Sequence, residues 1–205
     1  LFSNITIKEF LEKLSSKEPT PGGGSVAALA GALASSLGCM VSNLTIGKKK
    51  YMDVEEEIKK VYSLLEEYQN KFLEEMEEDA KAFNKVIEAL KLPKNTEEEK
   101  KIREEKIQEA TKEATLTPLK IAQDALEVME LTEIIVKKGY KMALSDAAIA
   151  GIMAKTAVIS GIYNVKINLP LLKDQEFVKE LKRKIENMET EANFLELRII
   201  SEVTL

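Results

Sequence analysis

The stretch "PTPGGGSVAALAGALASSLG", residues 19–38, constrains the fold more than any other part of the chain. Three consecutive glycines open an apolar run made almost wholly of Ala, Gly, Ser and Leu. A helix of such small side chains lets neighbouring backbones approach on every face, and it belongs at the centre of a helical assembly. The glycines lack the Lys-Ser/Thr of a phosphate loop, do not spell Gly-x-Gly-x-x-Gly and follow no strand, so neither nucleotide-binding fingerprint applies. Val26 to Val41 is shorter than the roughly 20 residues of a membrane span and only weakly hydrophobic, which argues against an anchor.

The rest of the chain reads as helix almost throughout. Ile7, Phe10, Leu11 and Leu14 share one face of a first helix, and Lys17 to Gly24 break it. The small-residue helix is expected from Ser25, whose hydroxyl would cap it, to about Gly47. The longest helix should run from Asp53 to Leu90, closed by Pro93. A capping box from Thr96 to Glu99 restarts the chain. Pro118 fits the first turn of a further helix after Thr117, with Gly139 as its stop. Ser145 or Asp146 would cap another, ending before Pro170, and Asp174 opens the last. No alternating strand pattern competes. The expected fold class is all-α, a single-domain array or bundle of about six to eight helices with long antiparallel members.

With 205 residues, of which 44% are hydrophobic and 32% charged, the chain can bury one sizeable core, and one domain over residues 1–205 is expected. A net charge of -5 with Lys and Glu evenly mixed excludes a general nucleic-acid binder, which gathers a basic surplus on one face. The N-terminal "LFSNITIKEFLEKLSSKE" has no continuous apolar region of a signal peptide, so a cytoplasmic location is expected. Cys39 is the only cysteine and there is no histidine, which excludes a His-Cys zinc site, a Ser-His-Asp triad and a Cys-His dyad. Acid-base chemistry must use Asp, Glu, Lys or Tyr.

Three groups of residues stand out. Gly22, Gly23 and Gly24 lie just before a helix start, where uncovered N–H groups at the positive end of the macrodipole form a site for an anion or polar ligand. The commoner use of such glycines is a turn with positive φ. On the long helix, Val54, Ile58, Val61, Leu65, Tyr68, Phe72, Met76, Phe83, Val86 and Leu90 form one stripe, and Asp79 falls in its middle; Glu75 lies at the edge. A core-facing carboxylate is either a structural group satisfied by a partner or a proton donor with a raised pKa. Further on, Asn164 and Asn168 share a face with Ala157 and Gly161, where their amides either join helices or read a heterocycle. Lys48, Lys49 and Lys50 follow the small-residue helix as a solvated run or a carboxylate clamp.

Taken in order, "PTPGGGSVAALAGALASSLGCMVSNLTIGKKKY", "DAKAF", "LPKNTEEEK" and "SDAAIAGIMAKTAVISGIYNVKINL" resemble the formiminotetrahydrofolate cyclodeaminase family. Its members occur alone or as the carboxyl-terminal half of a bifunctional formiminotransferase-cyclodeaminase. The similarity runs to about Glu196, with no formiminotransferase half. The resemblance implies an all-helical homodimer that closes 5-formiminotetrahydrofolate to 5,10-methenyltetrahydrofolate with release of ammonia, the usual setting being histidine degradation. It further implies that the catalytic Asp of the Asp-Ala-x-Ala-Phe stretch is Asp79. Gly22, Gly23, Gly24 and Ser25 would line the substrate pocket, and Lys48, Lys49 and Lys50 would attract the glutamate carboxylates of a folate, polyglutamylated or not. Asp146, Asn164 and Asn168 would contact the pterin or orient Asp79. No metal and no cofactor is implied, since folate is the substrate. Two other readings are 5,10-methenyltetrahydrofolate cyclohydrolase on the same fold and a non-enzymatic helical dimerisation or adaptor module.

Overall fold

The computed structural model describes residues 1–203, which hold six α-helices and no strand. Helix α1 (Ile7–Leu14) starts with a capping box in which Thr6 and Glu9 satisfy each other's backbone N–H. Helix α2 (Gly23–Thr45) begins two residues before Ser25. Helix α3 (Glu55–Lys91) antiparallels it, and α4 (Glu97–Lys138) opens on the Thr96–Glu99 capping box. Helix α5 (Leu144–Asn168) follows a 3-10 turn at Lys141–Ala143 and has no side-chain cap; Ser145 and Asp146 lie inside its first turn. Asp174 caps α6 (Gln175–Ser201) by accepting from the Phe177 N–H.

The main departure from expectation is at Pro118, which starts no helix but lies buried inside the 42-residue α4. A proline there removes the hydrogen bond to the carbonyl four residues back, which is Ala114. The Asn168 side chain supplies the missing donor, its Nδ2 lying 3.0 Å from the Ala114 oxygen. Next to this break α4 and α5 cross at Gly161, where a Cβ would fall 2.7 Å from the Pro118 oxygen.

Small residues set the spacing of the core. A Cβ on Gly31 would lie 2.6 Å from the Phe72 ring, and one on Gly38 would lie 2.7 Å from Leu65 Cδ1. With Gly24 against Asp79, three glycines at seven-residue spacing each receive a side chain from α3, also at seven-residue spacing. Among the described residues the only glycine with positive φ is Gly47, at +79°, just beyond α2. Positive φ therefore does not explain Gly22 to Gly24; steric room explains Gly24, against Asp79, and less tightly Gly23, against the Asn164 amide.

Helix α2 and the Lys141–Leu171 segment are long and apolar enough to cross a membrane, so α2 exceeds the length read from Val26 to Val41. Their Ala and Gly faces are spent on the protein's own core, Ala27, Ala28, Ala34, Ala150, Ala154 and Ala157 being fully buried. Their outer faces remain exposed, with Val26, Leu33, Met40 and Leu44 on α2 and Ile149, Ile152, Tyr163 and Ile167 on α5.

Candidate active site

Gly22 is the extended N-cap of α2 and offers no capping side chain. The anion at this helix end comes from α3. Asp79 Oδ2 lies 3.2 Å from Ser25 Oγ, which donates to it and shares its hydrogen with the Met76 carbonyl at 3.3 Å. Ser25 therefore acts by holding Asp79 rather than by capping its own helix. Gly24 must be glycine for this contact, because a Cβ would fall 1.9 Å from Asp79 Oδ1.

Two opposed influences set the acidity of Asp79. Burial raises its pKa above the ordinary 3.8, while the Ser25 hydroxyl and backbone N–H lower it by stabilising the charge; burial prevails. The result is a carboxyl group that hydrogen bonds hold in place and that remains only half-buried, open to an approaching ligand. Such a group can both accept and return a proton.

Asn164 joins this cluster. Both its amide nitrogen and its amide oxygen lie 3.2 Å from where a Gly23 Cβ would stand, and its Nδ2 donates to the Ser160 carbonyl, which leaves the side-chain oxygen as the acceptor beside Gly23. The structure thus brings together Gly23, Gly24, Ser25, Asp79 and Asn164, with Gly22 at the rim. Asn168 is committed to Ala114 and stands in the α4–α5 contact instead.

The other predicted residues sit at the far end of the molecule. From Gly24 to Thr45 the helix axis advances about 32 Å, and Lys48 lies beyond that. Lys48 stacks on the Tyr140 ring at 4.4 Å, and among the described residues none of Lys48, Lys49 and Lys50 forms an ion pair. Asp146 lies at this same end, about 27 Å along α5 from Asn164.

One buried group had only a weak sequence signal. Glu75, one turn before Asp79, has no solvent exposure and no hydrogen-bond partner on either oxygen. Burial and the neighbouring Asp124 carboxylate push its pKa up to about 8, against the pull of Lys120 Nζ at 3.4 Å. Asp124 itself is held by Lys71 at 2.7 Å. The spacing of α3 put Glu75 at the edge of the apolar stripe, but only the packing of α4 reveals its enclosure.

The formiminotransferase-cyclodeaminase family profile matches residues 6–187. The methenyltetrahydrofolate cyclohydrolase of Methylorubrum extorquens is 42% identical over 200 residues, covering 98% of this chain and 96% of that one. The mouse formimidoyltransferase-cyclodeaminase is 29% identical over 189 residues, which are 92% of this chain but only 35% of the mouse protein. The crystal structure of formiminotetrahydrofolate cyclodeaminase from Thermotoga maritima superposes with a TM-score of 0.89 at 30% identity, covering 98% of this chain and 97% of that one.

Proposed function

Because the chain belongs to the formiminotransferase-cyclodeaminase family, whose similar members carry the names of folate-processing enzymes, we propose that it acts on the one-carbon unit between N5 and N10 of tetrahydrofolate. Its reaction is the hydrolysis of the 5,10-methenyl bridge, and Asp79 carries the protons. The sequence reading put the deaminase first. The full-length 42% relative named as a cyclohydrolase moves hydrolysis forward.

In this reading water adds to the bridging carbon of the methenyl cation and gives up a proton to the Asp79 carboxylate. The carbon–N5 bond then breaks as N5 takes that proton from Asp79 and the hydroxyl on the bridging carbon releases its proton to solvent, which leaves a formyl group on N10 and Asp79 ionised again. Ser25 keeps the carboxylate aimed through both steps, and Gly23 and Gly24 let the flat substrate approach the end of α2 without meeting a side chain. Asn164, facing those glycines, offers an uncharged acceptor to the ring. The observation that carries the proposal is the half-buried, hydrogen-bonded Asp79 at a glycine-lined helix start.

The Thermotoga maritima structure supports a second reading, cyclodeamination of 5-formiminotetrahydrofolate. There N10 attacks the formimino carbon and the same carboxyl group protonates the departing ammonia. One assay separates the two. Hydrolysis predicts loss of methenyl absorbance from 5,10-methenyltetrahydrofolate with no ammonia, whereas deamination predicts equal gains of methenyl absorbance and ammonia from the formimino compound. Asp79→Asn should cut kcat by about a hundredfold or more in either reaction. A protein inactive on both substrates refutes the proposal.

A homodimer and a cytoplasmic setting belong to the same proposal. The exposed apolar face of α2 and α5 supports the first, because patches of that kind mark interaction sites.

A further inference from the structure

The Gly24 notch and Ser25 fix Asp79 against α2, and among the described residues no side chain of α4 donates a hydrogen bond to it. One turn earlier on α3, however, Glu75 is enclosed against α4. The charges around it do not balance. Helix α3 contributes Lys71, Glu78 and Glu75 itself, and α4 contributes Lys120 and Asp124, which makes three acids against two cations. Helix α2 adds no charged residue on its side of the cluster. Tyr68, near Asp124, stays un-ionised, since burial and the Glu127 and Asp124 charges push it up to about 12.

Both cations are already taken. Lys71 donates to Asp124 Oδ1 at 2.7 Å, and Lys120 donates to Glu78 at 3.4 Å. Three buried carboxyl oxygens are left without a donor: Glu75 Oε1, Glu75 Oε2 and Asp124 Oδ2. The Glu75 and Asp124 side chains lie within hydrogen-bonding reach of each other. With both ionised, two like charges would stand side by side away from water, one of them unmatched. A single proton on Glu75 removes both faults. Its O–H donates to the Asp124 carboxylate, and the cluster becomes two cations and two anions.

We infer that Glu75 and Asp124 share one proton that ties α3 to α4, and that this tie makes the two acids positioning residues for Asp79. The glycine notches stop α3 from sliding along α2, but they do not hold it against α4. The tie does, at a point only about 6 Å along the helix axis from Asp79. Loss of the proton leaves two carboxylates in repulsion, which is relieved by parting the helices or admitting water at the turn before Asp79. The consequence for turnover rests on the folate reading above; the tie itself does not.

Carbon-13 NMR of protein labelled at the aspartate carboxyls tests both parts. The chain has five aspartates, and Asp79→Asn and Asp124→Asn identify the two signals of interest. As pH rises through about 8, where the proton leaves Glu75, the Asp124 signal should shift and the Asp79 signal should shift with it, in a step separate from its own titration. In Glu75→Gln an amide N–H replaces the shared proton and never leaves, so that step should vanish from both signals. In Asp124→Asn an amide N–H instead faces the Glu75 carboxylate and favours its ionised form, so the Asp79 step should move to lower pH. A general loosening of the core would not separate the two variants in this way. No step at Asp124 in the wild type, or a step at Asp124 with none at Asp79, overturns the proposal.

Rate measurements, corrected for uncatalysed hydrolysis, complete the test. Wild-type kcat should fall by about tenfold for each pH unit above 8. Glu75→Gln should lack that decline, and Glu75→Ala, which has no tie at any pH, should be slow throughout. Equal declines in the wild type and Glu75→Gln overturn the positioning role. A protein inactive on both folates that still shows the paired NMR steps refutes the functional reading and leaves the tie standing.

Discussion

Glu75→Gln isolates the energetic effect of burying an acid beside another acid. Glu75 is fully enclosed and faces Asp124 and Lys120 from α4, while the α2–α3 register puts the buried Ala28 opposite it. Its pKa rises from the ordinary 4.5 to about 8 in the folded chain. Between those values the native state holds a proton that the unfolded chain has released. Stability is therefore greatest below pH 4.5 and is lost as pH rises toward 8, at about 1.4 kcal/mol per pH unit. At pH 7 the loss comes to roughly 3 kcal/mol, which for a chain of this length is about 6 to 12 °C in Tm. Glutamine has the shape of the protonated acid and does not titrate. The two proteins should melt together near pH 5, and the variant should melt progressively higher as pH rises to 8, with the gap constant above that. Thermal melts of both from pH 5 to 9 provide the measurement. A gap independent of pH, or a variant that loses ground as pH rises, would mean that Glu75 is ionised and stabilised by Lys120, and the reasoning would be wrong.

Asp79→Asn keeps an oxygen for the Ser25 hydroxyl, so its Tm should stay within a few degrees while turnover collapses; a large drop in Tm would mark Asp79 as a structural cap. Asn168→Ala leaves the Ala114 carbonyl without a donor and should cost about 1 to 3 kcal/mol in urea unfolding with KM unchanged, whereas a raised KM at constant stability would return Asn168 to the substrate. In a Pro118→Ala background the restored N–H can serve Ala114, so the same Asn168→Ala change should cost much less; equal costs in both backgrounds would sever the link. Gly31→Ala pushes a methyl into the Phe72 ring and should destabilise by about 1 to 3 kcal/mol, visible as a shift in the unfolding midpoint at constant slope.

Much of this architecture is legible in the residues. The caps at Thr96 and Asp174 lie where the sequence puts them, because capping is local and depends on residues three apart. Asp79 is conspicuous for the same reason, as a charge inside a helical stripe. Pro118 misleads because the donor that replaces its lost hydrogen bond sits fifty residues away on Asn168. The glycine run misleads differently. Sequence suggests an open anion site, but the anion is the protein's own carboxylate, which reaches across from α3. Glu75 is the hardest to read, since its enclosure is made by another helix. The lysines could be recognised as cations, but no local pattern reveals that they lie a full helix length from the acid.

Gly24, Gly31 and Gly38, set against Asp79, Phe72 and Leu65, work together as a ratchet with three teeth. Sliding α3 along α2 by even one residue would drive all three side chains out of their notches at once, so the axial position of the acid is indexed by two contacts that touch no substrate. A descendant of this protein cannot move the Asp79 carboxyl, the proposed proton carrier, by small steps. Drift in the acid's placement would require simultaneous change at every tooth, so new chemistry on this scaffold should arise from what surrounds Asp79 rather than from where Asp79 stands.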